Sequence, residues 1–540
     1  MRKKTRGYLE LVLKDDLVEG QPEFSLLERR DKTGLPEVIR AIELASRDRK
    51  VSAIALTLEN LAAGWARLAN LRRALWAFRR AGKPIYAFIA SGGNAEYYVA
   101  SACDRIYLPP GVTLQLVGLE SEVFFFRDTL DRLGIEAELH SIGEYKTAGE
   151  PFTRTEMSPK SREQLEALLD DFHQEFCSAL SDGRGLSSEE VAGRVDRGPY
   201  TAREAVDAGL ADEICYRDEL EQRLESALGV KLRAVPAHKY VPRPGWFRRL
   251  ATVRRPRVAV VHVLGLIASG ENRPKRAGRQ VAGADTISEL LDHALKDRRV
   301  RALVLRIDSP GGSATASDLI WRNVERLRHK KPVVATCGDF AASGGYYVAS
   351  AASRILVEPT SITGSIGVLG GKFVALALQK YLGVHRETVR RGAHADHASP
   401  LSVFSREESQ QLARQLEEFY RENFVRKVAN GRHMPENEVD RLGRGRVWSG
   451  RQAVASGLAD DVGGFGEAIE EARRLAGIPP ARKTRTVFYA RRRRLRDLFA
   501  FDLPFGALSL PWPVTELAEV AAALRSDPIL AWLPWRIRIR

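Results

Sequence analysis

Short apolar runs of Val, Ile and Leu alternate with amphipathic stretches twice along this chain of 540 residues. That alternation is the pattern of a layered α/β domain. In the first half the spacing predicts strands over 8–13, 51–58, 84–89, 105–108 and 137–142, a helix over 35–45, and one long helix from Ser158 to Asp182. In the second half the first strand restarts over 258–263, and the next, over 300–307, runs into the turn Asp308-Ser309-Pro310-Gly311-Gly312-Ser313-Ala314. Between them Pro236, Pro242, Pro244 and Gly245, set among Arg248, Arg249, Arg254 and Arg255, read as a linker.

The two halves are copies of one another. The run from Val51 to Glu59 aligns with Val300 to Asp308, and Tyr97-Tyr98-Val99-Ala100-Ser101-Ala102 returns unchanged from Tyr346 to Ala351; both offsets are 249 residues (300 − 51 and 346 − 97). Ala205 to Asp212 returns as Ala453 to Asp460, at an offset of 248. A solenoid repeats every ~20–50 residues, so this is a duplicated domain. The expected organisation is a first domain over 1–240, a linker over 241–256, a second domain over 257–480 and a tail over 481–540.

Aligning the copies exposes the chemistry. At the end of an apolar strand the second copy has Gly338-Asp339-Phe340-Ala341-Ala342-Ser343-Gly344-Gly345, a hydroxyl among small residues where a substrate backbone can approach. The first copy has Asn94 in place of Ser343, and Leu61-Ala62-Ala63 in place of Pro310-Gly311-Gly312. Conversely Lys146 of the first copy, within Gly143-Glu144-Tyr145-Lys146-Thr147-Ala148, faces Ala395 of the second. Alone, a Pro-Gly-Gly turn is commonly structural, a small serine is commonly core and a lysine is commonly surface. Independent domains have no reason to lose complementary residues, so the reciprocal loss points to one site assembled from both copies.

A serine nucleophile needs a base, and histidine is the usual one. The Pro-Gly-Gly turn followed by a later serine turn resembles the Clp protease and crotonase superfamily. Clp proteases carry their histidine on the helix after the serine, yet no histidine occurs between Ser353 and Gly383. His385, His394 and His397 are the other candidate bases, in a segment rich in Arg, Ala and Asp that reads as an exposed loop. Lys146 is the candidate that the reciprocal loss favours.

With Asp308-Ser309-Pro310-Gly311-Gly312-Ser313, Ala341-Ala342-Ser343-Gly344-Gly345-Tyr346, Thr363-Gly364-Ser365-Ile366-Gly367 and Tyr145-Lys146-Thr147-Ala148-Gly149-Glu150-Pro151-Phe152 in view, the chain resembles the long, two-domain form of the signal peptide peptidase A (protease IV) family. The resemblance covers roughly residues 8 to 475. It implies a tandem duplication of a Clp protease/crotonase-like α/β domain, with Ser343 as nucleophile, Lys146 as general base and Ser365 orienting the lysine amine. Gly344 with Gly311 or Gly312 would donate backbone N–H groups to the oxyanion. It also implies apolar peptide substrates, a homo-oligomer with a tetramer favoured, and no cofactor or metal. Thr147 stands where the family commonly has serine, and the N-terminal membrane anchor usual in the long form is not expected here. A crotonase-like acyl-CoA enzyme, which normally sets carboxylates beside the same turns, and a non-catalytic membrane-associated scaffold are the alternatives.

Physical chemistry sets a condition on this reading. A lysine amine at its reference pKa of about 10.4 is protonated at neutral pH, and bringing it near neutrality costs about 4 kcal/mol, which burial can supply. Lys146 must therefore be desolvated at the seam of the two copies, under Tyr145 and Phe152.

Composition adds location and partners. Cys103, Cys177, Cys215 and Cys337 are scattered without metal-type spacing, which suits a reducing compartment. No uncharged run reaches the ~18 residues of a membrane span, and charges interrupt the apolar stretch after Met1-Arg2-Lys3-Lys4-Thr5-Arg6. A cytoplasmic or peripherally membrane-associated protein is expected. The net charge is +15, and residues 482–540 carry twelve Lys/Arg against five Asp/Glu. There Arg491, Arg492, Arg493 and Arg494 precede Phe499, Phe501, Trp512, Trp532 and Trp535, a composition suited either to an anionic bilayer surface or to packing on the protein itself or on an oligomer partner. No recognition motif accompanies the charge, so nucleic acid is not expected.

Overall fold

The computed structural model describes residues 6–20, 33–240, 255–276, 279–490, 524, 527 and 529–532. Most of the 241–256 linker, and Arg491, Arg492, Arg493, Arg494, Phe499, Phe501, Trp512 and Trp535, lie outside the described residues.

Each copy builds a parallel sheet from buried apolar strands. In the first the order is Leu232–Pro236, Arg6–Val18, Val51–Ala62, Ile85–Ser91, Arg105–Leu108, Glu213–Ile214. In the second it is Val447–Ser449, Ile362–Gly364, Val333–Ala342, Val300–Ser309, Arg257–Leu264, Arg485–Phe488, with Val447–Ser449 alone antiparallel to its neighbour in this order. Parallel neighbours need crossovers, and equivalent helices supply them: Leu35–Arg47 and Trp65–Arg80 in the first copy, Ala284–Lys296 and Ala314–Arg328 in the second. Arg485–Phe488 pairs with Arg257–Leu264 as Leu232–Pro236 pairs with Arg6–Val18. The second copy thus runs through Phe488, past the expected boundary at 480, and the first strand of the tail is its last.

One predicted strand forms in an unexpected place. Glu136–Ile142 belongs to the first half of the sequence but pairs antiparallel with Val368–Val374 of the second, from Val368↔Ile142 to Val374↔Glu136. It closes a separate sheet, ordered Arg273–Arg276, Arg279–Gly283, Leu266–Ala268, Gly311–Ser313, Ile529–Trp532, Val368–Val374, Glu136–Ile142. The strand exchange carries the segment after Ile142, including Lys146, into the second copy. The long helix, Pro159–Arg184, follows it. Ser158 accepts from the Ser161 N–H at its start, and Gly185 closes it in the left-handed conformation at φ 67°.

The copies share more than a sheet. The core of the first includes Ala342, Ile362 and Val447 of the second. Charges buried at the seam find their partners across it: Arg306 Nε donates to Glu19 at 2.9 Å, Arg67 Nε donates to Asp339 at 2.5 Å, and Arg73 pairs with Glu358. Arg306 is 1% exposed and also donates to Thr336 Oγ1 and the Cys337 carbonyl. Among the described residues no helix is long and apolar enough to cross a membrane.

Breaking one side of a buried pair strands the other charge, at ~3–5 kcal/mol. Arg306→Ala is therefore expected to lower the unfolding free energy by about that amount, measured by denaturant titration. A loss under ~1 kcal/mol would show that Glu19 is hydrated and the seam looser than described.

Candidate active site

Ser343 stands between the strand Val333–Ala342 and the helix Gly344–Ala349, with φ 53° and ψ −116°. Positive φ is unfavourable for a residue with a Cβ, and such strain persists only where surroundings hold it. Here the Ser343 N–H donates to the Gly364 carbonyl at 2.8 Å, and the Tyr347 N–H donates back to the Ser343 carbonyl at 2.8 Å. The following glycines are required by space. A Cβ on Gly344 would stand 2.5 Å from Ser317 Oγ, and one on Gly345 would stand 2.7 Å from the Ser309 carbonyl oxygen. Gly311, at φ 100°, packs so closely that its Cβ would meet the Gly344 amide nitrogen at 2.7 Å. The turn over Gly311–Ser313 therefore lies against the first turn after the serine.

Lys146 arrives from the other copy. Its Nζ is 2.8 Å from Ser343 Oγ, 3.0 Å from Ser365 Oγ and 3.5 Å from the Ser365 carbonyl oxygen. It is 3% exposed, and Ser343 and Ser365 are fully buried. Burial pulls the Lys146 amine down to about 7, with no carboxylate offsetting it. Among the described residues, the other contact of Ser343 Oγ is the Gly367 carbonyl, at 3.5 Å.

Two glycines admit the lysine. At φ 106° a Cβ on Gly143 would collide with Arg444 backbone at 2.3 Å, and at φ 84° one on Gly445 would come within 2.3 Å of the Lys146 nitrogen. The Tyr145 N–H donates to the Arg444 carbonyl, the Gly445 N–H to that of Ile366 and the Ser365 N–H to that of Arg446. Gln164, from the long helix, fixes the same segment: its Nε2 donates to Thr147 Oγ1 at 2.9 Å and to the Tyr145 carbonyl at 3.3 Å, while its Oε1 accepts from the Val447 N–H. Sequence reading named neither Gly445 nor Gln164, and an isolated glutamine on an amphipathic helix carries no local signal.

Ser343, Lys146, Ser365, Gly344 and Gly311 are thus brought together. Gly312, at φ 153°, lies on the same turn and pairs with Ile267. The histidines are not gathered there: His394 and His397 face Glu408, at 3.2 and 3.6 Å, and His385 sits on exposed loop. Of the two residues expected to cover the lysine, Phe152 is buried with Leu130, Leu524 and Leu530, whereas the Tyr145 hydroxyl turns to the polar rim, meeting Glu163, Lys160 and Arg446.

The corresponding place in the first copy is filled differently. Asn94 donates to the Gly118 carbonyl and accepts from the Val117 N–H. Glu96, aligned with Gly345, accepts from the Leu61 and Gly93 N–H groups, so a carboxylate occupies the turn.

Comparison with known proteins agrees with this duplicated arrangement. A family model described as Peptidase family S49 matches residues 77–231 and again 325–479, corresponding parts of the two copies that together exceed half the chain. The chloroplastic serine protease SPPA of Arabidopsis thaliana is 33% identical over 85% of this chain and 68% of its own length. Protease 4 of Salmonella typhi is 31% identical over 84% of this chain and 73% of its own, and Protease 4 of Haemophilus influenzae 30% identical over 81% and 72%. With a match in each copy and such relatives across both, this chain belongs to peptidase family S49 and is a serine-type peptidase.

Proposed function

We propose that Ser343 is the nucleophile and Lys146 the general base of an endopeptidase acting on apolar peptides, such as cleaved signal peptides or unfolded membrane-protein segments. One observation carries the reading: a lysine amine with no carboxylate partner, lowered by burial to about 7, lies 2.8 Å from a buried serine hydroxyl. The neutral amine takes the Ser343 proton as Oγ adds to the peptide carbonyl carbon. The oxyanion then accepts backbone N–H groups from Gly344 and from Gly311 or Gly312, each donor of this type being worth ~2.7–4 kcal/mol. The ammonium returns its proton to the departing amine, leaving an acyl ester on Ser343, and the same amine activates the water that hydrolyses it. Ser365 Oγ, 3.0 Å from Nζ, orients the amine. Membership of a peptidase family leaves the acyl-CoA and scaffold alternatives without support.

Ser343→Ala and Lys146→Ala are each expected to lower kcat at least ~10³-fold, with the double variant little worse than either, because residues acting as one unit are not additive. Steady-state hydrolysis of an apolar fluorogenic peptide reads this out. Wild-type-like turnover by Lys146→Ala would return attention to His385, His394 and His397.

Acid loss of activity follows from the same burial. The base must be neutral, so kcat/KM is expected to rise with pH and level off above an apparent pKa near 7. An ordinary lysine would keep the profile climbing toward pH 10. Ser365→Ala is expected to reduce kcat ~10–100-fold with little change in KM. A profile flat from pH 5 to 9 would rule Lys146 out as the titrating base.

A homo-oligomer, a tetramer favoured, and cytoplasmic or peripheral membrane location complete the proposal. Its support is the family resemblance and the basic, aromatic composition of 486–540 outside the strand Ile529–Trp532. The full chain is expected to co-sediment with anionic vesicles at low salt and to be released by salt. Failure to sediment would remove the membrane contact.

A further inference from the structure

The sheet that carries Gly311–Ser313 and Val368–Val374 does not join these strands directly. Ile529–Trp532 lies between them, antiparallel to both: Gly311↔Trp532, Gly312↔Ala531 and Ser313↔Leu530 on one side, Leu369↔Leu530 and Gly370↔Ile529 on the other. Without it, two strand edges would face each other with unpaired N–H and C=O groups, the template that captures an extended peptide.

Its register sets the Ala531 carbonyl at the glycine turns. A Cβ on Gly311 would stand 2.1 Å from the Ala531 carbonyl oxygen, and one on Gly344 would stand 3.0 Å from that oxygen. The carbonyl therefore rests against the two residues proposed to donate to the oxyanion. Ala531 and Leu530 are fully buried, and the Leu530 side chain enters the apolar cluster of Leu130 and Phe152, with Leu139, Leu266 and Phe373 at its border. Asp527 anchors the segment, accepting from Ser313 Oγ at 2.5 Å and from the Thr315 N–H at 3.1 Å. Pairing on both edges, a carbonyl at the glycine turns and an anchoring carboxylate are more than an edge cover needs.

We propose, resting on the Ser343 and Lys146 assignment, that the strand Ile529–Trp532, anchored by Asp527, is a resident occupant of the peptide groove, which an external apolar peptide must displace. A displacing peptide inherits its subsites: a large aliphatic side chain where Leu530 lies, then a small residue where Ala531 lies. Apparent affinity falls in proportion to the fraction of molecules with the groove open, so freeing the groove lowers KM by the inverse of that fraction.

The test compares the full chain with a deletion of 524–540, and with Asp527→Asn in the full chain, on one apolar fluorogenic peptide. Deletion is expected to lower KM about tenfold with kcat within about twofold, and Asp527→Asn to lower it by a smaller factor. The synthetic peptide Asp-Pro-Ile-Leu-Ala-Trp-Leu is expected to inhibit the deleted enzyme competitively, and its version with Lys in place of the aliphatic residue before Ala to inhibit at least tenfold more weakly. Should the deletion not fold, hydrogen exchange on full-length Ser343→Ala protein decides: amides of 529–532 are expected to lose protection as the protein is saturated with apolar peptide, with occupancy followed by the anisotropy of a labelled copy.

Unchanged KM in a folded deletion, or unchanged protection at saturation, overturns the inference. The two readings fail separately. Turnover surviving in Ser343→Ala sinks the catalytic assignment while leaving the displacement measurable. A dead Ser343→Ala beside an unaltered KM in the deletion leaves the catalytic assignment standing and sinks the resident strand.

Discussion

Desolvation of one lysine is the constraint on which the rest depends. Among the described residues Lys146 is enclosed with two serine hydroxyls and no acid, so burial brings its amine down to about 7, whereas in water it would hold its proton there. Neither copy could arrange this alone, because the amine comes from the first and the walls from the second. The close approach is a matter of missing side chains. Gly143 lies against Arg444 and Gly445 against the Lys146 backbone at distances no Cβ tolerates. One glycine three residues before Lys146 and another far from it in sequence thereby set the environment of the amine.

Keeping the copies together has its own electrostatic cost, met in pairs. Glu19 with Arg306, Asp339 with Arg67 and Glu358 with Arg73 each join a residue of one copy to a residue of the other. A half standing alone would hold unanswered buried charge, for which the penalty exceeds that of a surface ion. Asp308, on the strand leading to the Pro-Gly-Gly turn, shares this environment; burial and the nearby Asp339 push its carboxyl up to about 7. Its Oδ1 accepts from the Phe340 N–H at 3.0 Å, tying the turn to the strand that ends at Ser343.

The copies have diverged into different jobs with the same backbone. Where the second has the glycines Gly344 and Gly345 beside Ser343, the first places the Glu96 carboxylate and the amide of Asn94, both engaged by local backbone. An anion fixed at that turn is incompatible with stabilising a second developing negative charge there. What the first copy retains is the strand Glu136–Ile142, which pairs with Val368–Val374 and delivers the lysine.

The sequence alone determined the duplication, the α/β alternation, the reciprocal loss of Ser343 and Lys146 counterparts and the two glycine turns, because each is written in local residue types or in the spacing of one copy against the other. The long helix was legible to within a few residues, since Ser158, Pro159 and Gly185 mark its ends. Other features were decided only by the tertiary structure: the exchange of Glu136–Ile142 into the second copy, the seam glycine Gly445, the Gln164 bridge and the strand Ile529–Trp532. The last has a faint signal, an apolar run between Pro528 and Pro534, but nothing in the run names the edges it joins. Local propensity states whether a segment can be a strand. Its partner is chosen by which edges, charges and apolar surfaces remain unsatisfied once the whole chain has folded.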